Sequence, residues 1–240
     1  MPLPKITTSQ YELVLPSSGK KIKYRPFLVR EEKILILALE SEDTNQISIA
    51  VKQVLKECVI GRVKIEDLPS FDIEYLFLNI RGKSVGESID IVVTCGDDGE
   101  TKINVSIPID KIQVEKHPDH NQDLELGQGY ILRMKYPTMG QFIDTNFSVR
   151  SVDDSEVERS FDIICSCIEQ VYTNDDAWVA SECSKKELRD WVESLTSEQF
   201  KKIERFFETM PKLRHEIKVM NPNTKKENTV VLEGLSSFFV

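Results

Sequence analysis

The side chains best suited to chemistry in this sequence are its five cysteines and three histidines. Each must be asked whether its neighbours complete a site. The stretch "SIDIVVTCGDDGETKINVSIPID", Ser88 to Asp110, sets a lone Cys95 before Gly-Asp-Asp-Gly, between β-branched runs. Half of a zinc ribbon looks like this, but a structural zinc wants four Cys or His ligands, commonly in Cys-x-x-Cys pairs. Cys95 has no such neighbour. Asp and Gly tolerate turn backbone angles, so the stretch reads as a plain hairpin with Cys95 at a surface turn. Cys165 and Cys167 lie two apart, which on a helix points them in nearly opposite directions. Cys165, beside Phe161 and Ile168, reads as a small core residue, as does Cys58; Cys167 and Cys183 read as incidental thiols. His117 and His120, with Asp119 and Asp123, have ligand chemistry but sit in a polar stretch without a second ligand cluster. They and His215 read as solvated. "RGKS" at Arg81 to Ser84 ends like a phosphate-binding loop. Phe77 stands where that loop needs Gly, and a helix pattern precedes it instead of a strand. Asp153, Asp154, Glu156 and Glu158 suit a helix N-terminus, and Asp175 and Asp176 a loop; neither run is a calcium loop. No catalytic, cofactor-binding or metal-binding residue is assigned. A cryptic metal or thiol hydrolase is the remote alternative, which bound metal or a perturbed cysteine would reveal.

The elements that would carry partners are clearer. "YELVLPSSGKKIKYRPF" alternates, breaks at Pro-Ser-Ser-Gly and alternates again, which predicts a β-hairpin from Tyr11 to Tyr24. In "VREEKILILALES" the Glu-Glu-Lys lead-in and Ala-Leu-Glu exit predict a helix through Ile34 to Leu39. A second helix is expected from Asp43 or Thr44, with Ile47, Val51, Val54, Leu55, Cys58 and Val59 in one stripe. A third is expected from Ser70, burying Ile73, Leu76, Phe77 and Ile80 and ending at Gly82 and Gly86. The Ser88–Asp110 hairpin follows.

His117 to Gly129 is polar and punctuated by Gly and Pro, and reads as a linker. Beyond it the order restarts. "YILRMKYPT" is a strand echoing "KYRP" at Lys23 to Pro26. A short helix is expected around Gln141 to Phe147, then an amphipathic one with Phe161, Ile164, Cys165 and Ile168 on one face. Capping boxes at Ser184/Glu187 and Thr196/Gln199 open two more, the last with Phe200, Ile203 and Phe207 on one side. A hairpin around Asn-Pro-Asn-Thr closes the chain. "LPSFDIEYLFLNI" from Leu68 matches "LTSEQFKKIERFF" from Leu195 in its apolar positions. One gap later Ile91 and Val93 fall opposite Ile217 and Val219, and Cys95 near Asn221. The expectation is an α+β protein of two similar helix-plus-hairpin modules, residues 1–116 and 130–240, joined by the linker 117–129, as an internal duplication would produce.

The chain has 240 residues and a net charge of −9, with 40% apolar and 30% charged residues. That balance suits a soluble protein and opposes a phosphate-dominated nucleic-acid binder. Ile34 to Leu39, the longest apolar run, is too short to span a bilayer, and "MPLPKITTSQ" lacks an apolar signal core. An odd number of irregularly spaced cysteines suits a reducing compartment. Neither nucleic acid nor membrane is an expected partner. Two features point to proteins instead. Ile34 to Leu39 is apolar on every side of its helix, and the closing stretch "LSSFFV" carries Phe238 and Phe239. The candidate partner-binding residues are therefore Leu35, Ile36, Leu39, Phe238 and Phe239. The tail is expected to cover its own hairpin, leaving docking to the first module.

Four segments taken together resemble a known family: "YELVLPSSGKKIKYRPFLVREEKILILALES", "FDIEYLFLNIRGKSVGESIDIVVTC", "LRMKYPT" and "VVLEGLSSFF". This is the T4-like phage baseplate protein family, which contains a baseplate hub subunit and a hub assembly protein. The resemblance spans nearly the whole chain and includes no catalytic motif. It implies a non-enzymatic, chaperone-like role in building the tail baseplate in the host cytoplasm, through other baseplate hub proteins and without a cofactor. Of the two members, the assembly factor is preferred. The alternative is a structural hub subunit retained in the virion.

Overall fold

The computed structural model describes residues 6–41, 43–139, 141 and 156–234. Among them the chain is α+β, with six helices and twelve strands in four small sheets. It divides into two compact units: described residues of 1–65, 71–115 and 212–240 form one, and those of 66–70 and 116–211 the other.

In the first unit, β1 (Tyr11–Val14) and β2 (Lys21–Tyr24) form the expected hairpin, in register Tyr11 to Tyr24. Their alternation buries Leu13, Ile22 and Tyr24. Two helices follow, α1 (Val29–Glu40) and α2 (Thr44–Cys58), before β3 (Val59–Ile60) returns to β2. The stripe of α2 is buried through Ala50, Val51, Val54, Leu55 and Cys58. Next, α3 (Ser70–Ser84) buries Phe71, Ile73, Leu76, Phe77, Leu78 and Ile80. Gly82 does not end it. It lies inside the helix, where an added Cβ would meet Ile109 Cδ1 at 2.9 Å.

The remaining strands of this unit are β4 (Ser88–Thr94), β5 (Lys102–Pro108), β6 (Gln113–Glu115), β11 (Lys212–Met220) and β12 (Glu227–Glu233). Ile89, Ile91, Val93, Cys95 and Ile107 share one core with Leu213, Ile217, Val219 and Leu232. Thus the final hairpin belongs to the first unit, not to a second module ending at 240. The physical reason is that each two-stranded ribbon carries one apolar face, and each covers the other's. Cys95 is fully buried in that core, so the surface-turn expectation fails although the hairpin itself forms.

The hairpin ends are alike. Leu15 N–H donates to Lys20 O at 2.9 Å, Cys95 N–H to Thr101 O at 2.8 Å and Asn221 N–H to Lys226 O at 2.9 Å. In each, the residue four later donates back, from Gly19, Gly99 and Lys225. These three have φ of 66°, 71° and 59°, the left-handed region that suits glycine and that Lys225 occupies against its own Cβ. The second and third turns are latched. Buried Asn221 donates from Nδ2 to Asp97 and Asp98, each at 2.9 Å. Asp97 N–H donates to Asn228 Oδ1 at 3.0 Å.

In the second unit, β7 (Asp123–Gly127), β8 (Tyr130–Met134), β9 (Ile168–Tyr172) and β10 (Ala177–Val179) form one antiparallel sheet in chain order. Its helices are α4 (Glu156–Ser166), α5 (Lys185–Glu193) and α6 (Ser197–Thr209). Both capping boxes form: Ser184 N–H donates to Glu187 Oε2 at 2.8 Å, and Thr196 N–H to Gln199 Oε1 at 2.9 Å. The core gathers Leu132, Met134, Ile164, Cys167, Val171, Ile203 and Phe206. Residues 117–129 are therefore not a linker. They hold β7, whose apolar side chains pack against this core, and they open the second unit's hairpin. Ile168 opens a strand and does not extend a helix.

Among the described residues part of the element order recurs: hairpin, at least one helix, a third strand on the hairpin, a 3-10 turn, further helix and a closing hairpin. The pairing recurs less fully, because β10 extends only the second sheet and β6 joins only the last hairpin. The helix expected around Gln141 to Phe147 lies, apart from Gln141, outside the described residues.

Candidate functional site

The residues with chemical potential are drawn into structure and away from one another. Burial pushes the thiols of Cys58, Cys165 and Cys167 up to about 11. Burial, aided by the charges of Asp97 and Asp98, raises that of Cys95. Such thiols stay protonated at neutral pH and are poor nucleophiles. Cys167, expected to be incidental, is fully buried, whereas Cys165 is only partly so.

His120 is buried too, contrary to the solvated expectation. Its ring lies 3.0 Å from Thr209 Oγ1 and 3.1 Å from Tyr136 Oη, against the rings of Tyr136 and Phe206, which also touch each other. The carboxylates near it in sequence face other partners: Asp119 pairs with Arg205 at 3.3 Å, and Asp123 with Arg133 through two contacts of 2.7 Å. Among the described residues no group of three or more His, Cys, Asp or Glu is placed to hold a metal ion. No helix among them is long and apolar enough to cross a membrane.

What stands out is α1. Glu31, in its first turn, is buried and gathers Arg25 at 3.0 Å, Arg30 at 2.6 Å and Leu28 N–H at 2.6 Å. Burial alone would raise its pKa, but these hydrogen bonds outweigh that and hold the carboxyl at about 2. This anchor sets the rotation of the helix. Leu35, at 8% exposure, and Ala38 face inward. Val29 (80%), Ile36 (49%), Leu37 (55%) and Leu39 (41%) face solvent. Val29, Ile36 and Leu37 share one side, being seven and eight residues apart at helical spacing. On the neighbouring α2, Ile49 is half exposed as well.

Of the predicted partner-binding residues, the structure thus exposes Ile36 and Leu39 and places Leu35 in the core. Phe238 and Phe239 lie outside the described residues. Val29 and Leu37 complete the apolar side and were missed. The helical period flags Leu37, one residue beyond Ile36, once Leu35 is known to point inward.

The sequence profile of a family described as "T4 bacteriophage base plate protein" matches residues 8–240. Neither a curated protein nor a solved structure matches the chain.

Proposed function

Because the chain belongs to the T4 bacteriophage base plate protein family, we propose that it acts as a non-enzymatic assembly factor for the baseplate hub, binding other hub proteins in the host cytoplasm. The observation that carries this reading is the aliphatic side of α1. A helix held by a buried ion-paired carboxylate yet showing Val29, Ile36 and Leu37 to water retains apolar area that a protein partner would cover favourably. The mechanism is chaperone-like: this side holds an aggregation-prone surface of a hub subunit and gives it up when the proper neighbour docks. No covalent step is needed, and the raised thiol pKa values favour none.

A second reading, a structural hub subunit retained in the particle, is favoured by the family's description as a base plate protein. Quantifying the chain in purified mature particles against infected-cell lysate separates the two. The assembly factor is abundant in lysate and absent from particles; stoichiometric recovery in particles makes it a subunit. Replacing Ile36 and Leu37 by Asp is expected to abolish co-purification of hub proteins in either case. Undiminished co-purification would remove α1 from the proposal. Metal analysis and thiol titration of the purified protein test the non-enzymatic part.

A further inference from the structure

The second unit carries an unrelated surface. A cavity of about 420 Å³ opens beside β10, walled by Tyr130, Val171, Trp178, Leu188 and Trp191, with Glu187 its charged lining residue. Trp178 stands in the middle of β10, opposite Val171, which in turn stands opposite Leu132. Strand alternation therefore brings Trp178, Val171 and Leu132 to one face of the sheet, the face met by Leu188 and Trp191 of α5. Trp178 is 47% exposed and touches Tyr130, with ring centroids 6.3 Å apart. Half of a large indole left in water, next to an apolar cavity, is how an anchor pocket looks before its partner arrives.

The strand itself supplies the second observation. Among the described residues β10 pairs only with β9, and all three of its residues are exposed. Its outer edge lies beside the cavity with backbone N–H and C=O groups that no second strand pairs among the described residues, although Val179 C=O accepts from Cys183 Sγ at 3.7 Å. An added strand would satisfy them and drop alternate side chains into the groove.

Charge selects the occupant. Asp175 and Asp176 precede β10, and Glu182 and Glu187 follow it. Glu187 accepts from Ser184 N–H at Oε2, and these hydrogen bonds with Ser184 hold its carboxyl below the usual range, so it stays charged toward an incoming cation. Lys185 and Lys186 share the first turn of α5 but do not line the cavity. Indole and phenol faces also attract guanidinium and ammonium groups.

We infer that the groove beside β10 seats an extended segment of a partner protein in which apolar residues alternate with Arg or Lys. The segment lies along the β10 edge, an apolar side chain fills the cavity, and a basic one reaches Glu187. This stands whether or not the role given to α1 holds.

The chain's two tryptophans are Trp178 and Trp191, so tryptophan fluorescence, excited selectively over tyrosine, reports on the groove alone. The test titrates the purified full chain with short capped peptides alternating Leu with Arg, Leu with Glu, or Gly with Ser. A saturable blue shift is expected with Leu/Arg, at least about tenfold tighter than with Leu/Glu, and weaker in salt. Trp178→Ala should lower affinity about tenfold or more, followed by peptide anisotropy with an unchanged melting curve. Glu187→Gln keeps the capping box but should narrow the basic-over-acidic preference. No saturable shift, equal response to Leu/Arg and Leu/Glu, or undiminished binding by Trp178→Ala would overturn the inference. A shift that depends on protein concentration without peptide would also overturn it, by making a second copy the occupant.

Discussion

Glu31 and His120 show how single buried polar groups orient this molecule. Replacing Glu31 by Gln leaves the guanidinium of Arg25 underpaired in a setting only 14% exposed. A loss of roughly 3 kcal/mol is expected from denaturant unfolding. Glu31's depressed pKa also gives its contribution a sign: present above the ordinary value of 4.5 and lost as pH falls toward about 2. His120 works at milder pH. Burial, then the nearby charges of Lys116 and His117, push its pKa below the ordinary 6.5. The unfolded chain takes up the proton first, so stability is full above 6.5 and falls as pH drops below it. Melting curves between about pH 7.5 and about pH 5.5 should show that decline in the parent and a flatter course in His120→Gln. Equal slopes would mean that the ring is solvated after all.

At the scale of elements, the two sides of a helix should answer differently to substitution. Leu76 in α3 and Phe206 in α6 are buried at 2% exposure or less. Truncating either to Ala removes packed atoms and leaves a cavity, an expected loss of roughly 2–5 kcal/mol. Ile36→Asp and Leu37→Asp, on the exposed side of α1, should move stability by only about 0.5 kcal/mol. Thermal or urea unfolding checks both halves of the comparison. A large loss at Ile36 would mean that α1 is rotated and its aliphatic side is core. The helix phase in α6 illustrates how narrow the margin is. Phe207 was expected on the buried face, yet Phe206 is the ring packed at a tilt against His120, with Phe207 meeting Phe206 edge-on.

For the whole molecule, the decisive fact is a core built from distant sequence. Leu213, Ile217, Val219 and Leu232 complete a cluster begun at Leu78 and Ile89. A chain of residues 1–116 should therefore melt without cooperativity, because the apolar faces of β4 and β5 lose their cover. Appending residues 212–234 through a flexible linker should restore a cooperative transition. Calorimetry of the two chains decides it. A sharp, native-like melt for residues 1–116 alone would make the first unit independent of the last hairpin.

Much of this was legible locally. Alternation around Pro-Ser-Ser-Gly and Gly-Asp-Asp-Gly determined two hairpins, and Ser184/Glu187 and Thr196/Gln199 determined two helix starts, because turns and caps depend on residues a few positions apart. Membership of the base plate family rests on the sequence alone as well. What tertiary structure decided is which apolar face meets which. No periodicity reveals that β11–β12 covers β4–β5, that Leu35 turns inward while Ile36 turns out, or that His120 closes onto Tyr136 and Phe206. β10, with only three residues, is too short for alternation to be read and exists because β9 offers it an edge. An apolar stripe states only that it needs a cover. The fold chooses among covers by burying the most apolar area with its polar groups paired, and that choice involves the whole chain at once.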